Sequence, residues 1–479
     1  MFRSTPIITS RLPPGIPFII GNEVAERFSF YGMRSVLLAY MTLYLTQPDG
    51  ELAVFGAKSA EAWVHLFVGS AYFFPIIGGL IADAFWGKYK TIIILSLCYC
   101  AGHACLAFMG IWGDTKLWLL LGLLLIAIGS GGIKPCVSSH VGDQFCDKNK
   151  HLITKVFGWF YFSINLGAFV SGLLTPFLLE ARRAEGSLGE WLYPYFSWIV
   201  GPKEMGEVIF GHHYAFGLPG ALMAIATVIF WLGRNDFTHI PPRGISWFRE
   251  TFSQENVRVL LRLSIIFSFV ILFWALFDQI GTLWQVQARN LDRIIPEWVP
   301  WVGGMEMLAS QVSAVWNPLF ILLLIPCFSS IVYPSCGKYF TITPLGKMRF
   351  GLWVMGGSFA LVSWVQMKID AGLHPSVMWQ VLACFILTVS EILVSITCLE
   401  FAYTQAPKSL KSVVMALFLL TVSLGNYLAS GVKFLLVDQN GNFLLSGASE
   451  FWFWTILVCI SASLFKIVAA RYKTVDHFH

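Results

Sequence analysis

Runs of about twenty apolar residues, broken by short polar or proline-containing stretches, recur from one end of the chain to the other. A helix rising 1.5 Å per residue needs about 20 apolar residues to cross about 30 Å of hydrocarbon. Read at that window, the pattern predicts twelve spans. Six lie near 17–45, 62–85, 91–113, 117–140, 153–179 and 213–233, and six near 257–286, 312–334, 350–368, 377–403, 412–436 and 450–470. The segment from Arg234 to Asn256 is the one long, polar, proline-containing stretch between the two sets. The expected organisation is therefore an N-terminal six-helix bundle over 1–233, a cytoplasmic linker over 234–256 and a C-terminal six-helix bundle over 257–479. The fold class this implies is an all-α membrane protein of twelve transmembrane helices in two six-helix halves. The loop from Glu180 to His213 is long, mixed in charge and aromatic, and is expected to carry a short surface helix.

Composition supports the membrane reading. Of 479 residues 56% are hydrophobic and only 12% charged, with a mean hydropathy of +0.68. A soluble domain carries about 25% charged residues, so this chain lacks the polar side chains to cover itself in water. The net charge of +5 is modest and no basic tract suggests nucleic acid. Most of the ten cysteines lie inside apolar runs without zinc-type spacing, and read as small packing residues. No Ala-x-Ala-like site follows the first apolar run, so a cleavable signal peptide is not expected. With the N-terminus placed inside, Lys and Arg gather on the inner loops and the acids on the outer ones. That asymmetry orients the bundle with both termini cytoplasmic.

A charge at mid-membrane costs about 2.5–3.5 kcal/mol on insertion scales, so charges inside the spans carry the functional signal. Span one holds Glu23, Glu26, Arg27, Tyr31 and Arg34, all within about 80° of Glu23 around a helix. Glu23 and Arg27 have the i, i+4 spacing of an ion pair. Such a stripe faces either a cavity in the bundle or, if Glu23 lies shallow, the headgroup region. Span four holds a run of glycines ending in Lys134 and Pro135. The glycines permit close helix approach, the proline frees a backbone carbonyl, and the lysine calls for a carboxylate, Glu23 or Glu26. The alternative is a packing run with a snorkelling lysine. A phosphate-binding glycine loop is rejected, because no strand precedes the run. The second half contributes Asp278 and Glu391, with Gln279, Gln311 and Asn317 as polar companions. Basic groups in one half and acidic groups in the other suit a zwitterion, carboxylate toward Arg34 and Lys134, amine toward Glu391. The same carboxylates can take up and release protons. His65 titrates near neutral pH when unperturbed, although a lone histidine on an apolar helix is more often a satisfied core residue.

Several of these segments resemble motifs of one family. Glu23–Tyr31 (EVAERFSFY) resembles the E-x-x-E-R-F-x-Y-Y motif of the proton-dependent oligopeptide transporters, a branch of the major facilitator superfamily. Gly78–Asp83 with Trp86–Lys90 looks like that family's loop between helices two and three, and Phe160–Gly167 resembles its F-Y-x-x-I-N-x-G signature. Phe273–Gln279 and Glu391–Pro407 are similar to helices seven and ten of animal-type members. The resemblance implies a major-facilitator-type bundle carrying di- and tripeptides into the cytoplasm by proton-coupled symport and alternating access. The proton gradient would be the drive and no cofactor is implied. The implied location is the cell membrane, and the implied partners are small peptides, protons and the lipid bilayer, with no obligatory protein partner.

Carried over by position, Glu23, Glu26, Arg27, His65 and Asp278 would handle protons. Arg34 and Lys134 would receive the peptide carboxylate, and Asn317 and Glu391 the amine. Tyr31, Tyr72, Asn165 and Trp274 would line the pocket. Three positions depart from the pattern. Phe30 replaces the first motif tyrosine, Ala168 replaces a serine, and Leu283 stands where animal members carry an arginine. Two further readings stay open. The same fold can carry nitrate, a dicarboxylate, histidine or a peptide-like drug. A membrane enzyme or a peptide sensor would need a catalytic or signalling motif, and the sequence offers no metal-ligand cluster and no nucleophile–base pair, so no enzymatic activity is expected.

Overall fold

The computed structural model describes residues 2–180, 194, 211–242, 244, 253–300, 302–339, 343–405, 411–436 and 443–472. Among them are twelve long helices. They are α1 (Ile16–Ala39), α2 (Ala57–Ile81), α3 (Lys88–Phe108), α4 (Thr115–Gly142), α5 (Ile153–Glu180) and α6 (His212–Leu232). The other six are α7 (Gln254–Phe277), α8 (Ala309–Cys327), α9 (Pro344–Asp370), α10 (Met378–Glu391), α11 (Lys411–Leu435) and α12 (Ala448–Arg471). Each falls on one apolar run of the sequence. The surface helix expected between Glu180 and His213 lies outside the described residues.

Helix starts follow local chemistry. Asp114 caps α4 by accepting from the Lys116 and Leu117 amides, and Thr343 caps α9 through the Gly346 amide, with Pro344 in the first turn. Several helices continue through a wider π-type turn: Tyr40–Tyr44 after α1, Ala82–Trp86 after α2, Phe328–Val332 after α8 and Ile392–Ile396 after α10. Eleven stretches are long and apolar enough to cross a membrane. The first helix falls short on that measure because Glu23, Glu26, Arg27 and Arg34 interrupt it, the same charges that the sequence pattern singles out. Exposed Ile, Leu, Phe and Trp side chains cover the outer faces of the spans, as lipid contact requires. The protein is a multi-pass membrane protein.

The chain forms two compact units. The first comprises Met1–Val54, Phe67–Glu180 and Ile209–Phe252; the second comprises Phe55–Leu66, Ala181–Val208 and Ser253–His479. Within the first, α1 packs on α5 and α6, and α3 packs on α4 and α6. The glycines before Lys134 do what their spacing suggests. A Cβ added at Gly131 would lie 2.8 Å from the Phe74 carbonyl oxygen, so a side chain there would push α2 and α4 apart. Ser130 Oγ donates to the Ala71 carbonyl at 2.9 Å across the same contact. Within the second unit, α9 packs on α10 and α12, α7 on α11, and α8 on α10.

Candidate functional site

In the first unit the two carboxylates of the α1 stripe are buried within the protein, and Arg27, Tyr31 and Arg34 are half-buried. Glu23, Glu26 and Phe30 are each at most 1% exposed. Arg27 Nε donates to Glu23 Oε1 at 2.7 Å, the pair expected from i, i+4 spacing, and lies 3.3 Å from Glu26 Oε2. One guanidinium thus offsets two carboxylates. Glu23 Oε2 and both Glu26 oxygens accept no hydrogen bond. That is a costly arrangement to hold out of water unless the groups serve another partner.

Lys134 corrects the sequence expectation. Its Nζ is buried without a hydrogen-bond partner, so the pairing with Glu23 or Glu26 is not made. The ammonium instead lies 3.5 Å from the centroid of the Phe30 ring and 4.2 Å from that of Tyr72. The ring quadrupole attracts a cation, by about 2 kcal/mol or more when the pair is desolvated, but supplies no hydrogen-bond acceptor. Glu26, Arg27, Arg34 and Glu23 are the charges that act on it. Tyr31 and Tyr72 both meet Phe30 edge to face, with centroids 5.5 and 6.2 Å away. Asn165 Nδ2 donates to the Tyr161 carbonyl of its own helix at 3.0 Å. A basic, aromatic cluster capable of gripping an anion therefore forms around Lys134.

The second unit holds three further groupings. Asn317 Nδ2 donates to Glu391 Oε2 at 2.9 Å and to Thr388 Oγ1 at 3.1 Å, so α8 orients the carboxylate of α10 one residue before its π-type turn. Trp274 packs against Phe273, Phe277 and Phe418, with a buried indole N–H that makes no hydrogen bond. His65 is not the lone histidine it looks in sequence. Its Nδ1 pairs with Asn426 Oδ1 at 2.9 Å and its Nε2 with Thr282 Oγ1 at 2.9 Å. Asn426 Nδ2 in turn donates to Asp278 Oδ2 at 2.6 Å. His65 and Asp278 are thus linked through one amide.

One turn earlier on α2, buried Glu61 joins an ion cluster with buried Lys433 and Glu450 and with half-buried Lys58. Lys433 bonds both Glu61 and Glu450. Lys58 lies 3.1 Å from Glu61 and 2.6 Å from Glu450. The four charges alternate and cancel.

Sequence comparison decides what this arrangement belongs to. The profile of the POT family matches residues 89–253 and 245–445. The chain belongs to the POT family.

Among curated POT relatives, the chain is 32% identical over 416 residues to solute carrier family 15 member 2 of Mus musculus, covering 78% of this chain and 52% of that protein. It is 32% identical to peptide transporter 3 of Caenorhabditis elegans over 75% of this chain and 51% of that protein. The chain spans about half the length of the curated relatives it matches. Among solved structures it is similar to an auto-inhibited POT family peptide transporter, at 32% identity and a TM-score of 0.79, covering 98% of this chain and 99% of that one. The POT family transporter PepTSo is similar at 32% identity and a TM-score of 0.81, over 98% and 100% of the two chains.

Within the POT fold, the structure joins Glu23, Glu26 and Arg27; Lys134, Tyr72 and, through Phe30, Tyr31; Asn317 and Glu391; and His65 and Asp278. Arg34 acts on Lys134 through its charge. Asn165, buried on α5, and Trp274, half-buried on α7, make no hydrogen bond to any of these. Leu283, where an arginine was looked for, is a buried residue of the short helix Leu283–Ala288. Sequence reading missed Asn426, Thr282 and the ion cluster. Lys433 stands three residues from the end of its apolar run, where a lysine ordinarily reaches the headgroups. Asn426 carries no charge to draw attention, although an amide inside an apolar helix is itself a signal of a buried partner.

Proposed function

We propose that the protein carries di- and tripeptides into the cytoplasm together with protons, by alternating access. The observation that carries this reading is the Lys134 ammonium, buried against Phe30 and Tyr72 with its hydrogen-bonding capacity unused. A free carboxylate would supply the acceptors that the rings do not, with Arg34 as its second cation. Glu391, held by Asn317, is the matching acceptor for a protonated amine. Each of these groups suits one end of a peptide rather than its side chains. Glu23 and Glu26, sharing one guanidinium, are the proton-handling carboxylates. A proton on either removes a negative charge from Arg27 and redistributes the ion pair, and His65 with Asp278 forms a second relay. The relatives named as peptide transporters support the cargo class. We place the protein in the cell membrane with both termini in the cytoplasm, driven by the proton gradient and needing no cofactor.

The test is uptake by the purified chain in proteoliposomes. A labelled unblocked dipeptide should accumulate when the outside is acidic and the lumen alkaline, and accumulation should stop on adding a protonophore. Equal uptake without a gradient removes the coupling. Uptake of nitrate, a dicarboxylate or histidine with no competition by dipeptides would assign the fold a different cargo.

A further inference from the structure

In the second unit α9 and α12 run antiparallel. Ser363 Oγ and Thr455 Oγ1 meet at 3.1 Å in mid-span. At Gly356 an added Cβ would lie 2.9 Å from Cys459 Sγ, so the helices nearly touch there. From that crossing, Arg349 lies seven residues back along α9 and Lys466 seven residues forward along α12, about 10 Å at 1.5 Å per residue. There the helices bound a cavity of about 540 Å³ lined by Arg349, Phe350, Trp353, Ala462, Ser463 and Lys466. Each basic residue stands five positions inside the end of its helix, the level at which a membrane-spanning segment meets the headgroups.

Three features define what fits. Arg349 and Lys466 are exposed, one on each wall, and among the described residues neither forms an ion pair. The antiparallel α12 brings its carboxyl-terminal end to the same side as the amino-terminal end of α9, so the two helix dipoles offset and the side chains supply the positive charge. The flanking surface is apolar, with Phe350 61%, Leu464 51% and Ile467 52% exposed, and Trp353 stands at the rim as interfacial tryptophans do. A free anion has no use for that flank, whereas a molecule with a phosphate at one end and acyl chains at the other uses all of it. We infer that this groove holds an anionic phospholipid, its phosphate between Arg349 and Lys466 and its chains along Phe350, Leu464 and Ile467. The site belongs to the outer, lipid-facing surface and shares no residue with the peptide-handling groups, so it stands or falls independently of the cargo.

The experiment is native mass spectrometry of the purified chain in neutral detergent, titrated with short-chain phosphatidylglycerol, with phosphatidylcholine of the same chain length, or with sodium phosphate. The chain should retain phosphatidylglycerol in preference to phosphatidylcholine and retain no phosphate. Arg349→Ala with Lys466→Ala should weaken phosphatidylglycerol binding about thirtyfold. The double replacement Arg349→Lys with Lys466→Arg, which keeps both charges, should retain most of it and guards against a folding defect. Lys148→Ala, an exposed loop lysine, should leave binding unchanged. Equal retention of phosphatidylglycerol by the alanine variant and the parent overturns the inference. So does retention of inorganic phosphate at the same residues, which would make the groove a free-anion site.

Discussion

Buried charge is handled in opposite ways in the two units. In the second, Lys58, Glu61, Lys433 and Glu450 alternate in sign and bond one another, so little capacity is left over. In the first, Glu23 and Glu26 share Arg27, three of their four oxygens accept no hydrogen bond, and Lys134 rests on aromatic rings. Burying a charge is tolerated only when it is paired. A saturated cluster therefore reads as a fixed point of the fold, and an undersupplied one as groups held ready for a proton or a ligand. Proximity of charges does not separate the two clusters; unused hydrogen-bonding capacity does.

Substitutions can break or sharpen this contrast. The largest effect should come from Lys134→Ala, which removes a group that makes no hydrogen bond and whose ring contacts are offset by the cost of burying its charge: gradient-driven dipeptide uptake in proteoliposomes falls at least a hundredfold while the melting temperature changes by only a few degrees. Next, Lys433→Met strands Glu61 and Glu450 and should cost about 3–5 kcal/mol. It should read as a clear drop in melting temperature in detergent, with dipeptide affinity retained by the folded fraction. If uptake vanished without loss of stability, the ion cluster would be functional and the contrast would fail. Glu391→Gln removes a charge from the amine contact and should weaken an unblocked dipeptide about tenfold, in line with about 1.5–3 kcal/mol for a hydrogen bond to a charged group. An N-blocked peptide should change little in the same competition assay, and equal losses would argue against the amine role. His65→Gln keeps an amide able to bond Asn426 but cannot titrate. Gradient-driven uptake should fall several-fold while peptide counterflow, which needs no net proton movement, persists. The smallest effect belongs to Phe30→Tyr, which keeps a ring beneath Lys134 and should shift dipeptide affinity by less than a factor of three.

Most of the fold is legible in the sequence because a lipid solvent enforces a single rule, long apolar helices with internally satisfied backbones. Some spans agree with the helices within a residue or two, as 153–179 does with Ile153–Glu180, whereas 377–403 runs past the end of α10 at Glu391 because the chain continues through a π-type turn. The local part of the site is legible too: Glu23 and Arg27 pair because helix geometry brings i and i+4 together. What could not be read depends on packing between helices distant in sequence. The pattern left Lys134 a choice of carboxylates, and the structure gave it Phe30 and Tyr72 instead, an outcome set by how α1, α2 and α4 approach at the glycines. His65 looked solitary because Thr282 and Asn426 lie 217 and 361 positions away. Lys433 drew no reading at all, because nothing in its own run shows that Glu61 and Glu450 meet it.

The division between held-ready and spent charge is tested most directly by equilibrium binding of an unblocked dipeptide to the Lys134→Ala and Lys433→Met proteins, side by side in detergent at a temperature where both are folded. The account predicts at least a tenfold loss of affinity for Lys134→Ala and parental affinity for Lys433→Met. Parental affinity in the Lys134→Ala protein would contradict it.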